Sequence, residues 1–333
     1  MKIKRMFQLF FVLLSMHFTE CKDGNQVTPP STNNSGTIEN VSEVNNLRLT
    51  SINYDMVEDA KGDVWLLESN AVYRFSGSKI VQKFSVNNGN VNSASFCPMF
   101  AKNKDGDIYV HSQTLSLGYN ELYKVSNSNL VSLMKGEEAF NGPNYLFFNK
   151  FDELEVGYVT YNLKNNTMSV PKLGFSWTAA TFDGTNYWYV DSRSLYKSGV
   201  AVNPTKLYTD VRFSNGRVLA FSMNIGLDIF QSNKWLFVNS NLSQNYPMDF
   251  RPMNFSVTAN GDIFLCGSKG TNGDIGCIIK IGQDLTVSQV KLNDEFQSKC
   301  YSIWKTFVDS KGFLWIIYMN KNNALFELAK LKL

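Results

Sequence analysis

A seven-bladed β-propeller is the fold this sequence predicts, and three observations predict it. A turn motif of Asp or Asn with Gly recurs along the chain, short alternating strands follow each copy, and no convincing amphipathic helix interrupts them. Four strands per unit at a period of roughly 40 residues is the pattern of a propeller blade. Six blades is the alternative count, and a two-sheet sandwich is the alternative architecture.

Residues 1–20 have the layout of a secretory signal. Lys2, Lys4 and Arg5 form a positive start, and Phe7 to Met16 runs almost unbroken apolar. That run has signal length, well short of the roughly 20 residues a spanning helix needs. Cys21 follows it. A cysteine at this place resembles the lipobox of bacterial lipoproteins, with Thr19 and Glu20 standing where small residues usually precede it. Lys22-Asp23 resembles the short charged signal that sends lipoproteins of Bacteroidetes-type bacteria to the outer cell surface. These resemblances imply a lipid-anchored outer-membrane protein acylated at Cys21. A secreted or periplasmic protein is the alternative. Residues 21–43 are rich in Asn, Ser, Thr, Pro and Gly and read as a flexible tether. The propeller is assigned to residues 44–333.

The repeat is clearest at Asp59-Ala-Lys-Gly62-Asp-Val-Trp65-Leu66 and Asp309-Ser-Lys-Gly312-Phe-Leu-Trp315-Ile316. Weaker copies centre on Gly106 and Gly261, and degenerate ones on Gly142, Gly184 and Gly216. Asp or Asn accepts local backbone N–H bonds, and Gly supplies the positive φ of a tight turn. The run after each turn alternates as a strand, as in Tyr187-Trp188-Tyr189-Val190. A further strand follows, such as Val72-Tyr73-Arg74 or Ile278-Ile279-Lys280, and then an outer one, such as Lys79 to Phe84. Tyr54 to Val57 and Ser302 to Phe307 are strands that precede their turns. The last unit stops at Leu333 without a full outer strand, and Asn46 to Thr50 is the segment expected to supply it and close the ring.

The Asp-x-x-Gly-x-hydrophobic-Trp turn resembles the two-component regulator propeller repeat of sensor proteins in Bacteroidetes. The match is good at Gly62 and Gly312. The resemblance implies a propeller-type extracellular lipoprotein and carries no catalytic residues.

The chain has 32 basic and 29 acidic residues, and Lys2, Lys4, Arg5 and Glu20 belong to the leader. What is left is near neutral, which argues against nucleic-acid binding. Two histidines exist, His17 in the leader and His111 on a strand, so chemistry needing two histidines in the mature chain is excluded. Cys266 and Cys277 flank a hairpin and could bridge; the alternative is that both are buried small hydrophobes. No Cys-x-x-Cys spacing points to zinc. No cofactor is indicated, although loop carbonyls and carboxylates leave room for calcium.

Ligand contacts are expected in a funnel of loops on one face of the propeller. The candidates are Tyr119, Glu137, Trp177, Tyr246, Asp249, Arg251 and Tyr301, an aromatic platform with carboxylates and one guanidinium. Phe140, Phe250, Phe296, Glu138, Asp152, Glu153, Asp294 and Glu295 fall in the same predicted loops. The first reading is a surface-anchored protein that captures a glycan or a partner protein. The second is a structural subunit of a surface assembly, and the third a polysaccharide lyase or hydrolase. A monomer or a subunit of a surface complex is expected.

Overall fold

A computed structural model describes residues 37–49, 54–68, 71–85, 99–114, 119–126, 129–136, 145–156, 159–169, 179–191, 194–203, 207–223, 226–237 and 249–333. These form seven four-stranded antiparallel sheets, each a meander, as expected of a seven-bladed propeller. Blades 1 to 7 span residues 54–85, 99–136, 146–169, 179–203, 210–237, 251–289 and 300–332, with Ile38–Asn40 completing the last. The innermost strands are Tyr54–Glu58, Met99–Lys102, Leu146–Phe148, Ala179–Phe182, Asp210–Ser214, Arg251–Val257 and Cys300–Val308. Among the described residues two short helices stand outside the sheets, α1 (Val41–Asn45) and α2 (Asp294–Lys299).

The repeated turn joins the first and second strands of a blade. Asp309 Oδ1 accepts the Lys311 and Phe313 amides at 3.0 and 2.8 Å, while Oδ2 accepts Trp315 Nε1 at 2.9 Å. Asp59 makes the same three bonds, to Lys61 N, Asp63 N and Trp65 Nε1, at 2.8, 3.0 and 3.0 Å. One carboxylate thus closes the turn and pins the indole of the strand that follows. Gly62 and Gly312 have φ of 78° and 76°, the left-handed region that a Cβ disfavours.

Blade 3 departs from the expected frame. Gly142 lies outside the described residues, and the turn is made by Asn149 to Glu153, with Asp152 in the left-handed region at φ 61°. Asn149 Oδ1 accepts Phe151 N and Glu153 N at 2.9 and 3.1 Å. Leu146–Phe148 is therefore the innermost strand of its blade, not the one after the turn. Asp tolerates positive φ because its short polar side chain bonds locally, so no Gly marks this copy.

Closure by the N-terminal segment holds, with a different strand. Ile38–Asn40, inside the stretch read as tether, pairs with Phe326–Lys332. Of the segment expected to close the ring, Leu49 makes a single bridge to Phe326. Between them, α1 turns the chain inward. Ser42 Oγ accepts Leu328 N at 2.8 Å, and Asn45 bonds Ser78 O and Ile80 N at 2.7 and 2.8 Å, tying the closing segment to blade 1.

Apolar clusters fill the seams between neighbouring blades rather than one central core. The seam of blades 7 and 1 contains Leu66, Phe75, Trp315 and Ile317, and that of blades 6 and 7 Phe264, Ile278, Ile303 and Leu314. Among the described residues the seam of blades 3 and 4 has the smallest cluster, with Tyr145, Ala180 and Tyr189. The Cys266–Cys277 bridge is not formed: both thiols are free and fully buried. Register is the reason. Cys266 faces Ile278 and Gly267 faces Cys277, so the two cysteines project to opposite sides of blade 6. Cys266 joins the cluster toward blade 7 and Cys277 that toward blade 5. Burial pushes both thiols up to about 12. His111 is buried on the second strand of blade 2.

Candidate functional site

Innermost strands of all seven blades surround a central channel, which widens to a cavity of about 530 Å³. Its lining includes Tyr54, Met99, Tyr145, Ala179 and Thr209, which start or precede their strands. Met223, in the connection between the second and third strands of blade 5, also lines it. The cavity therefore opens on the face away from the Asp/Asn–Gly turns. This is the face where the loop funnel was expected.

The charged side chains of the channel wall come from blades 7, 1 and 5, while apolar ones come from nearly every blade, Met56, Met223 and Met253 among them. On blades 7 and 1, Lys305 Nζ lies 3.1 Å from Asp55 Oδ1, and Asp55 Oδ2 accepts Phe100 N of blade 2 at 2.8 Å. Blade 5 holds Arg212 against Asp210 at 2.7 Å, and the same guanidinium donates to Phe255 O of blade 6 at 3.1 Å. Burial would pull the Arg212 pKa down, but Asp210 and Asp55 hold it above its ordinary value. The Arg212–Asp210 pair is 35% and 28% exposed, which leaves it open to a ligand. Across the channel stand Met99, Tyr145, Phe147, Ala179 and Ala180. Two ion pairs set among aromatic and methionine side chains can hold a chain that carries both charge and apolar side chains.

The predicted funnel residues divide. Asp249 and Arg251 flank Phe250 where the chain enters blade 6, and Arg251 Nη2 donates to Thr271 O at 3.3 Å on the neighbouring connection. Tyr301 is 39% exposed near the start of blade 7. Tyr119 opens the third strand of blade 2, with its backbone on the same face. Glu137, Trp177 and Tyr246 lie outside the described residues. Others move. Asp152 and Glu153 belong to the opposite face, where Asp152 pairs with Lys104 at 3.2 Å. Phe296 is buried on α2 against Tyr318, with ring centroids 4.7 Å apart. Asp294 and Glu295 form the first turn of α2, and Glu295 pairs with Lys299 at 2.7 Å.

Asp55, Asp210, Arg212 and Lys305 lie on strands, outside the loops where ligand contacts were expected. Their signal lies in the strands: a charge set among apolar neighbours, as in Tyr54-Asp55-Met56. Lowered carboxyl pKa values occur elsewhere. Burial would raise Asp183, but bonds from Asn186, Trp188 and Thr185 hold it down in the turn of blade 4. No group of three or more His, Cys, Asp or Glu side chains fit for a metal occurs among the described residues. No helix there is long and apolar enough to cross a membrane.

No family model matches this chain, and no curated protein matches it. Solved structures do. The extracellular domain of BT3049 from B. thetaiotaomicron, described as a hybrid two-component system, is 11% identical with a TM-score of 0.55. That match covers 85% of this chain and 40% of the other, so this chain spans less than half of that relative. The WD40 propeller domain of Doa1 is 11% identical with a TM-score of 0.53, covering 88% of this chain and 97% of the domain. YCF48, solved with a D1 peptide bound, is 11% identical with a TM-score of 0.57, covering 92% and 98%. At these identities the likeness establishes a shared propeller fold.

Proposed function

We propose that this protein is a binding module whose channel mouth takes an extended peptide segment of a partner protein. The mixed channel wall carries the reading: ion pairs on blades 7, 1 and 5 stand among apolar side chains contributed by blades 1 to 6, methionines and aromatics among them. A peptide offers both charges and apolar side chains to such a wall. YCF48, of the same fold, binds a peptide. Tyr119, Glu137, Trp177, Tyr246, Asp249, Arg251 and Tyr301 form the proposed collar around the mouth. Acylation at Cys21 would hold the module at the outer bacterial surface, and Cys21→Ser should release it to the medium.

The test is a peptide-display selection on the purified chain, followed by calorimetry. An enriched peptide should bind saturably, and Asp55→Asn/Lys305→Met should weaken it at least tenfold without shifting the unfolding midpoint by more than a few degrees. Failure of any peptide to enrich would sink this reading, and saturable binding of a surface polysaccharide that Tyr301→Ala weakens would favour glycan capture by the collar.

A subunit role in a surface assembly is the second reading. One exposed apolar side chain sits on the outer strand of each of blades 1 to 5: Val81, Val131, Met168, Val200 and Leu236. Sedimentation of Val200→Asp beside the unaltered chain tests it, with assembly expected only for the latter.

A further inference from the structure

The ring's seam holds a second hollow, separate from the channel. Its volume is about 470 Å³. That lies within the range of small-ligand clefts, roughly 300–1,000 Å³. Three stretches distant in sequence build it: the closing segment from Asn40 to Arg48, the connection of blade 7 from Asn320 to Phe326, and Lys299 at the end of α2. All three lie on the channel-mouth face.

Part of its polar lining is occupied. Asn40, Asn320 and Asn323 each donate one amide N–H to Glu327, at 3.1, 2.8 and 3.2 Å, and the Tyr318 hydroxyl donates to it at 2.6 Å. Glu327 is thereby filled, and Lys299 is paired with Glu295. Asn46, Arg48 and Asn322 are exposed, and their side chains make no hydrogen bond within the described residues. Two free amides, a free guanidinium and the exposed Glu43 carboxylate therefore converge with donors and acceptors to spare. Leu47, Leu325 and Phe326 add an apolar part.

The charges balance, Arg48 and Lys299 against Glu43 and Glu327. That balance disfavours phosphate and polyanions. A pyranose ring fits: its hydroxyls both donate and accept, and its C–H face is apolar. We propose that this hollow binds a neutral saccharide. A ligand there would bridge the closing segment and blade 7, so it would also raise the stability of the closed ring.

Calorimetric titration of the purified full chain with maltotriose, cellotriose, mannotriose, a galacturonate trisaccharide and inorganic phosphate tests the proposal. At least one neutral trisaccharide should bind saturably and raise the Tm. Arg48→Ala/Asn322→Ala should weaken that binding at least tenfold; both side chains are exposed and form no hydrogen bond among the described residues, so the unfolding midpoint without sugar should stay within a few degrees of the unaltered chain's. Asp55→Asn/Lys305→Met should leave it unchanged, which separates this site from the channel. Three results would overturn the proposal: binding confined to galacturonate or phosphate, neutral-sugar binding that the Arg48/Asn322 variant leaves intact, or no binding across the panel.

Discussion

Asp309 and its counterparts show how one side chain can organise a blade. Asp occurs where the following strand presents an indole to bond: Asp59 with Trp65, Asp183 with Trp188 and Asp309 with Trp315, at 3.0, 2.7 and 2.9 Å. Where Tyr109 or Glu155 takes that place, the turn residue is Asn103 or Asn149. An amide oxygen accepts the two backbone N–H groups as well as a carboxylate does, but the amide NH₂ cannot accept an indole N–H. Asp309 is 5% exposed, so losing all three bonds leaves buried donors unsatisfied. Asp309→Ala should destabilise by about 2–4 kcal/mol, and Asp309→Asn by about 1–2 kcal/mol, read from urea unfolding. Two glycines of blade 6 make a second case. A Cβ on Gly276 would sit 2.2 Å from Cys300 Sγ, whereas one on Gly267 would sit 2.0 Å from the Arg251 carbonyl oxygen. Gly276→Ala should lose about 1–3 kcal/mol, and Cys300→Ala should recover much of that loss in the double variant. Gly267→Ala meets backbone, so no side-chain truncation should rescue it.

The decisive element is the closing segment. Three residues of strand and one turn of helix seal the ring, so side-chain bonds carry much of the closure. Asn45 donates to Ser78 O and accepts from Ile80 N, and Asn45→Ala should destabilise by about 1–3 kcal/mol in the same unfolding assay. Glu327 gives the seam a pH dependence. Burial would raise its pKa, but bonds from Tyr318, Asn320, Asn323 and Asn40 outweigh burial and hold it below the ordinary glutamate range. A depressed folded pKa contributes stability above the unfolded value, about 4.3, and that contribution is lost as pH falls through the folded value. The Tm should therefore drop on acidification below about pH 4.3, more steeply in the unaltered chain than in Glu327→Gln.

Across the whole molecule the blades are unequal. Blade 7 has inner strands of nine, eight and seven residues, while blade 3 has strands of three, three, four and three. The seam between blades 3 and 4 also has the smallest apolar cluster among the described residues. Opening free energy follows the local density of buried contacts and ladder bonds. Amides of blade 3 should exchange with solvent first and those of blades 6 and 7 last, read by hydrogen exchange with mass spectrometry. Uniform protection around the ring would contradict this. The same inequality places the rigid half of the channel, with Lys305 and Arg212, beside the well-packed blades 5 to 7.

Local chemistry made the fold legible in the sequence. Turn carboxylates, positive-φ glycines and strand alternation act over a few residues, so the all-β class, the seven units and closure from the N-terminal side could all be read directly. The blade 3 turn escaped because Asp152 does the work of Gly without its signature. The remaining features were decided by tertiary structure. Which N-terminal residues close the ring depends on pairing between Ile38–Asn40 and a strand nearly the whole chain away. A one-residue register in blade 6 separates Cys266 from Cys277, and no spacing rule specifies register. The channel wall and the seam hollow are built from side chains of several blades, brought together only when the ring closes. Period and turn chemistry are written locally, whereas sites of this kind arise from contacts between residues hundreds of positions apart, such as Asn40 with Glu327.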